Sequence, residues 1–135
     1  MAHWLLKTEP GTYSFPDLLR DRTTAWEGIS SPAALLHLRA MKRGDDALIY
    51  HSGAERAVVG LARVTSDPYP DPALDDPKRM VVDVAAGKPL LRPVPLATIK
   101  ADPRFRNLGL VRISRLSVMP VTGAEWESLL ALAEG

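Results

Sequence analysis

The residues best suited to acid–base or nucleophilic chemistry are the histidines and the serine beside one of them. His51 and Ser52 place a base next to a hydroxyl, but adjacent residues of a strand point to opposite faces. The other two histidines, His3 and His37, are too far apart along the chain to match a metal-ligand pattern. Glycine-rich phosphate loops, HExxH and GxSxG are also absent from the sequence. We therefore expect a binding protein with no metal and no cofactor, and not an enzyme.

Trp26 is the residue best suited to holding a planar ligand. It lies in an otherwise polar segment just before a predicted helix N-terminus. It has two interpretations: a plug that closes the core between two helices, or the wall of a pocket beside backbone N–H groups. Its position alone favours the plug. Trp4 and Trp126 lie in apolar patterns, and we expect both in the core.

The charges are unevenly distributed although the net charge is only +1. Residues 67–77 include four aspartates and no Lys or Arg, whereas residues 88–115 include seven basic residues and one aspartate. Such asymmetry is compatible with phosphate binding. It is equally compatible with a solvated surface that has no ligand.

Length and composition are those of one globular domain. The chain has 135 residues, of which 46% are apolar and 24% charged, so it can bury one core. It has no cysteine, which fits a reducing compartment. No segment approaches the roughly 20 apolar residues of a membrane span. We expect a single domain over residues 1–135 that is soluble, cytoplasmic and monomeric.

Helix signals occur at three points. Residues 14–17 combine a serine cap, an early proline and a carboxylate at the third position, which predicts a short helix over 15–20. Ser31 and Pro32 begin a second helix in the same way, and Gly44 supplies a left-handed stop beyond it. Residues 122–125 form a capping box that opens the last helix.

The remaining pattern is that of strands. Strands are predicted over residues 3–7, 47–51, 57–64, 80–85, 90–94 and 111–119, with a helical turn over 96–100. The second and third of these form a hairpin. Three prolines within 67–72 lack N–H donors, so we expect a loop there. The sum predicts an α+β fold, with a curved sheet or small β-barrel and flanking helices.

A series of short motifs resembles the EVE-domain family, in the expected order and over nearly the whole chain. The main ones are W-x-x-K-[ST]-E-P (4–10) with Y-S and D-L (13–14, 17–18), W-[DE]-G-V (26–29), L-R-x-M-x-x-G-D (38–45) and Y-H-S (50–52). Shorter matches occur at 60–62, 69–72, 82–84 and 114–118.

The resemblance implies a PUA-like fold close to that of YTH domains, which read methylated adenine in RNA. It also implies a binding module for a modified nucleobase in DNA or RNA, with the base held in an aromatic-walled pocket. Trp26 would be the wall on which the base stacks. The implied rims are Lys7, Thr8 and Glu9 on one side, Tyr50, His51 and Ser52 on another, and Arg115 on the opposite strand.

Two segments depart from the family pattern. Many relatives continue W-[DE]-G-V with a stretch like R-N-Y-Q-A-R, whereas residues 30–35 here read S-S-P-A-A-L. Ser30 and Ser31 therefore replace an arginine and an amide. We include both serines among the predicted ligand contacts. The replacement affects base specificity, because the groups best placed to read the base have changed. Residues 77–79 read P-K-R where some relatives carry a tryptophan.

An alternative function remains open at this point. The same pocket could hold a small metabolite or a free nucleotide without binding a polymer. Polymer binding weakens steeply with ionic strength, whereas capture of a neutral base does not. DNA and RNA are not distinguished, because no residue can be assigned to a 2′-hydroxyl.

Overall fold

The computed structural model describes residues 1–134 of the chain. Within them, two strand–helix pairs are followed by four consecutive strands and three short helices, before a last strand and a last helix. The elements are β1 (His3–Thr8), α1 (Phe15–Asp21), β2 (Thr23–Trp26), α2 (Pro32–Arg39), β3 (Asp46–His51), β4 (Ala57–Val64), β5 (Tyr69–Pro70), β6 (Met80–Pro95), α3 (Leu96–Ala101), a 3-10 helix (Pro103–Phe105), α4 (Gly109–Arg112), β7 (Val118–Val121) and α5 (Gly123–Glu134).

The strands form one open, seven-stranded sheet. Its order is β2-β6-β4-β3-β1-β7, and β5 pairs with β6 beside that path. β1 lies between β3, which is parallel to it, and β7, which is antiparallel. Pro120 in β7 has no N–H to donate to a further strand, which suits an edge position. The predicted α+β fold with a curved sheet is confirmed, whereas the small β-barrel is wrong because the edge strands β2 and β7 do not pair.

The sheet bends where its ladders are irregular. The register shifts between Ile49 and Tyr50 in the β3–β4 pair, and on both sides of Gly60 in the β4–β6 pair. Such bulges bend a strand and increase its twist. Both irregularities lie near the carboxyl end of β3, next to the ends of β1 and the β3–β4 hairpin.

Helices cover the sheet through apolar faces. α5 buries Trp126, Leu129 and Ala133, whose spacing puts them on one side of the helix. Trp4 on β1 is buried, and its indole N–H donates to Asp45 Oδ2 at 2.9 Å. The predictions that Trp4 and Trp126 belong to the core are therefore confirmed. Within residues 1–134, no helix combines the length and apolar character needed to cross a membrane.

The predicted helix starts are confirmed by their hydrogen bonds. Ser14 Oγ accepts from the Asp17 amide at 3.1 Å, and the Ser14 amide donates to Asp17 Oδ2 at 2.9 Å. Thr122 and Glu125 make the same reciprocal pair at the start of α5. Ser31 Oγ accepts from the Ala34 amide at 3.3 Å. Each cap satisfies backbone donors that the first helical turn leaves unpaired.

Two strands differ from the sequence prediction on the β6 side of the sheet. Residues 23–26 form β2, which was missed because four residues are too few to show a period. Residues 80–85 and 90–94 are parts of one strand, β6, and not two. A Cβ on Gly87 would lie 2.7 Å from the Leu61 carbonyl oxygen. Glycine at position 87 therefore lets β6 approach β4 closely and continue as one strand through residues 86–89.

Two further predictions are wrong. Tyr69 and Pro70, expected in a loop, pair with β6 as β5, because a two-residue edge strand needs no donor from Pro70. Residues 111–119 are a strand only from Val118. Their first part closes α4, where the Ile113 amide donates to the Gly109 carbonyl at 2.8 Å. Apolar residues alternate with polar ones over 111–114 and 116–118, as in a strand, although the Leu116 amide donates to the Ile113 carbonyl within a local turn.

Candidate functional site

Trp26 is placed by β2 and by the turn that follows it. It pairs with Val82 at the end of β2, and Gly28 then takes a φ of +83°, a conformation that side chains with a Cβ disfavour. The Trp26 side chain is only 6% exposed and belongs to the hydrophobic core. Its position therefore depends on both the β2–β6 ladder and the core beneath.

One side of Trp26 borders an open cavity of about 340 Å³, which we call the Trp26 pocket. Its lining residues are Thr8, Thr12, Tyr13, Thr24, Ala25, Trp26, Glu27 and Gly28. The Tyr13 ring meets the Trp26 ring edge to face, with centroids 6.3 Å apart and planes at 83°. The volume lies at the lower end of the range for small-molecule sites, about 300–1,000 Å³. Trp26 thus packs in the core and also forms a cavity wall.

Some of the polar groups around the Trp26 pocket already make hydrogen bonds within the chain. Thr8 Oγ1 donates to the Tyr13 carbonyl at 2.6 Å, and the Tyr13 hydroxyl donates to Asp21 Oδ2 at 2.9 Å. Burial and the bond to Asp21 raise the pKa of Tyr13. No fully buried side-chain nitrogen or oxygen in residues 1–134 lacks a partner, yet the Trp26 indole N–H makes no hydrogen bond within them. That N–H therefore lies in the accessible part of Trp26 and can donate to a ligand.

A second cavity of about 250 Å³, which we call the basic pocket, lies on the other side of the end of β1. Its polar lining consists of Lys7, Tyr50, Ser52, Arg56, Lys100 and Ser114. Lys7 and Thr8 are consecutive on β1, so their side chains point to opposite faces of the strand. The predicted contacts are accordingly divided, with Trp26 and Thr8 at one pocket and Lys7, Tyr50 and Ser52 at the other.

His51 borders neither pocket and has a structural position. Its Nε2 accepts from the Phe15 amide at 2.9 Å, so Nδ1 carries the proton and donates to Glu55 Oε1 at 2.8 Å. Both ring nitrogens thereby hold the start of α1 against the β3–β4 hairpin. Ser52 Oγ donates to the Thr8 carbonyl at 3.3 Å.

The other predicted contacts lie at the periphery. Glu9, Ser30 and Arg115 are exposed, and Ser31 is used as the cap of α2. None of them lines either pocket. Sequence reasoning assigned no role to Tyr13 or Thr24. Recognition of β2 would have found Thr24, since it lies two residues before Trp26 on the same face of that strand.

The surface outside the Trp26 pocket and the basic pocket also has features that bear on ligand and metal binding. A wider hollow of about 510 Å³ lies along β4 and β6. Its Arg63 and Asp46 pair with each other at 3.4 Å, and Lys88 and Trp126 also line it. Among residues 1–134, no three His, Asp or Glu side chains are grouped as a metal site would require.

Comparison with known proteins gives consistent matches over the whole chain. Human thymocyte nuclear protein 1 is 31% identical over 98% of this chain and 74% of its own length. A solved structure of a protein from Rhodopseudomonas palustris is 40% identical, with a TM-score of 0.93 over 99% of this chain and 94% of that one. The structure of human THYN1 in complex with DNA containing 5-methylcytosine is 31% identical, with a TM-score of 0.90 over 100% and 99% of the two chains. The name of the human relative gives no support to the cytoplasmic location expected here, which stays a prediction.

The family model called EVE domain matches residues 2–132. The motif order and the fold both agree with that match, so the resemblance inferred from the sequence is confirmed. The chain belongs to the EVE-domain family.

Proposed function

We propose that residues 1–135 act as one module that binds a modified nucleobase in a nucleic acid, with the base in the Trp26 pocket. The observation that carries the proposal is that Trp26 forms a wall of an open cavity of about 340 Å³. The complex of human THYN1 with DNA containing 5-methylcytosine supports the ligand class, since that chain is 31% identical to this one. We use 5-methylcytosine as the first probe for the same reason.

Several features of the Trp26 pocket support the proposed base recognition. A base turned out of its stack can lie against the indole, and such stacking contributes about 1–3 kcal/mol. The free indole N–H can donate to an acceptor on the base edge. A buried methyl group adds about 0.8 kcal/mol, which corresponds to about fourfold in affinity. The edge-to-face contact with Tyr13 fixes the ring plane of Trp26 before the ligand arrives.

The role we infer is binding and not catalysis. His51 and Ser52 are the adjacent pair that offered a base and a nucleophile. Both already make hydrogen bonds within the chain, to Phe15 and Glu55 and to Thr8. Neither side chain lies at the Trp26 pocket.

Binding of single-stranded oligonucleotides with and without one 5-methylcytosine tests the proposal. The wild-type protein should favour the methylated strand about fourfold. Trp26→Phe should weaken binding several-fold, because a smaller ring stacks less well and has no N–H. Trp126→Phe is the matched control, since Trp126 is similarly buried, at 8%, and lies away from the pocket. Equal affinities for the two strands, or equal losses in the two variants, would contradict the proposal.

Ionic strength separates a polymer from a neutral base or nucleoside as the ligand. Polymer binding should weaken linearly on a log–log plot against salt, with a slope of about −0.7 for each phosphate contacted in a single strand. A slope near zero, with tight binding of the free nucleoside, would instead favour a small-molecule ligand.

A further inference from the structure

The basic pocket concentrates positive charge, and Glu55, which lines a neighbouring cavity with Arg56 and Lys100, is paired with His51. Lys7, Arg56 and Lys100 line the basic pocket, and no Asp or Glu is among its lining residues. The ion pairs among residues 1–134 include none of these three cations. Lys7 Nζ donates to the Ser114 carbonyl at 2.8 Å, which leaves two of its three N–H donors free. Burial of Lys7 lowers its pKa, as expected for a cation without a paired carboxylate.

Tyr50 contributes an unpaired hydroxyl to the same pocket. The residue is 2% exposed, and its hydroxyl makes no hydrogen bond within residues 1–134. No fully buried side-chain oxygen in those residues lacks a partner, so the hydroxyl must lie in the small part of Tyr50 that solvent reaches. Tyr50 lines the basic pocket, and Lys7 Nζ lies 5.6 Å from the centroid of its ring. The Tyr50 hydroxyl is therefore available to donate to a group bound in the basic pocket.

Arg56 takes a backbone conformation that disfavours any side chain. Its φ is +46°, in the left-handed region where glycine is the usual residue. The Arg56 carbonyl accepts from the Leu96 amide at 2.8 Å, which fixes this position of the hairpin against α3.

We propose that the basic pocket binds a phosphoryl group, held by Lys7, Arg56 and Lys100 and by the Tyr50 hydroxyl. This inference rests on the proposed function, because it assigns the pocket to a phosphate of the same nucleic acid whose base enters the Trp26 pocket. The consecutive residues Lys7 and Thr8 connect the two pockets. Ammonium and guanidinium groups bind phosphate oxygens through charge-assisted hydrogen bonds, and a phenol hydroxyl donates to the same oxygens.

Arg56→Gly tests the proposal without harming the fold, since glycine relieves the left-handed strain. Arg22→Gly is the matched control, because Arg22 also has a positive φ, of 69°, and lines neither pocket. We expect Arg56→Gly to weaken binding of a 5-methylcytosine oligonucleotide about tenfold, or about 1.4 kcal/mol. It should also reduce the magnitude of the salt slope by about 0.7, the contribution of one phosphate contact in a single strand. The preference for the methylated strand should stay unchanged. Tyr50→Phe should weaken binding of both strands with little effect on thermal stability, because no internal hydrogen bond is lost.

Further probes identify the source of the phosphate. If it belongs to a free nucleotide, Arg56→Gly will weaken binding of 5-methyl-dCMP and leave the oligonucleotide unaffected. Inorganic phosphate alone should shift the Tyr50 ring signals in NMR spectra of the wild type but not of Arg56→Gly. This phosphate-induced shift would support the basic pocket by itself. Absence of oligonucleotide binding alongside it would refute only the base-binding proposal. Identical behaviour of the Arg56→Gly and Arg22→Gly variants with all three probes would overturn the inference.

Discussion

Gly60→Ala should destabilise the protein through a single steric contact. Gly60 lies in β4, and its φ is negative, so alanine meets no backbone restriction there. An added Cβ would lie 2.3 Å from Phe15 Cζ and 2.4 Å from Cε1. These distances are far inside van der Waals contact, and the Phe15 ring is 3% exposed and packed in the core. The ring, and with it the start of α1, must shift.

The magnitude follows from the cost of overpacking a dense core. An added methyl group that displaces buried neighbours costs about 1–3 kcal/mol. For a chain of this size, that corresponds to a fall in Tm of about 4–12 °C. Because Phe15 begins α1 two residues after Tyr13, the shift should also move the Tyr13 wall of the Trp26 pocket and weaken ligand binding.

Thermal unfolding of matched variants measures this effect. Gly123→Ala is the control: a Cβ there meets nothing within 4 Å, and alanine favours the α5 helix over glycine. Phe15→Leu should partly rescue Gly60→Ala, so the two changes should be non-additive in a double-mutant cycle. A Gly60→Ala variant as stable as the wild type would refute the steric reasoning.

Two other predictions concern stability. The Tyr69 hydroxyl donates to Asp83 Oδ1 at 2.5 Å, and that bond and burial raise the pKa of Tyr69 to about 12. Because the folded pKa lies above the unfolded value of 10.0, Tyr69 stabilises the fold fully below pH 10.0, and this stabilisation is lost as the pH rises toward about 12. Tyr69→Phe should therefore flatten the decline in the denaturation midpoint over that pH range. Thr122→Ala removes the acceptor for the Glu125 amide, and chemical denaturation should show a loss of about 1 kcal/mol, while an unchanged midpoint would mean that the cap is not needed.

Local signals in the sequence predicted the local structure well. The caps at Ser14, Ser31 and Thr122 depend on side chains within three residues of the backbone they satisfy, so they are visible without tertiary information. The left-handed Gly44 is of the same kind, with a φ of +94°. The β3–β4 hairpin was likewise recognised from its alternation and turn residues.

Structure that depends on distant partners was predicted less well. β2 exists because its four residues pair with β6, which lies more than fifty positions away in sequence. Residues 113–116 close a local turn through the Leu116 amide and the Ile113 carbonyl, and only at Ser117 does a backbone carbonyl accept from Lys7 on β1. Whether the sheet closes is decided by its two edges, which no local window includes.

The predicted contacts were divided for a related reason. Motif order placed Lys7 and Thr8 on one rim, although consecutive strand residues face opposite ways. The structure puts Thr8 beside Trp26 and puts Lys7 beside Tyr50. Roles for Arg56 and Lys100 could not be assigned, because only the fold brings the hairpin and α3 together.

The most direct test of base binding is to follow the indole N–H signals of the tryptophans by NMR during titration with a 5-methylcytosine oligonucleotide. The Trp4 indole N–H donates to Asp45, and Trp126 packs on His3, so both serve as internal controls. We predict that the Trp26 indole signal shifts strongly and saturates at the affinity measured for the whole protein, while the Trp4 signal stays in place. Saturable binding with no change at the Trp26 indole would contradict the assignment of the base to the Trp26 pocket.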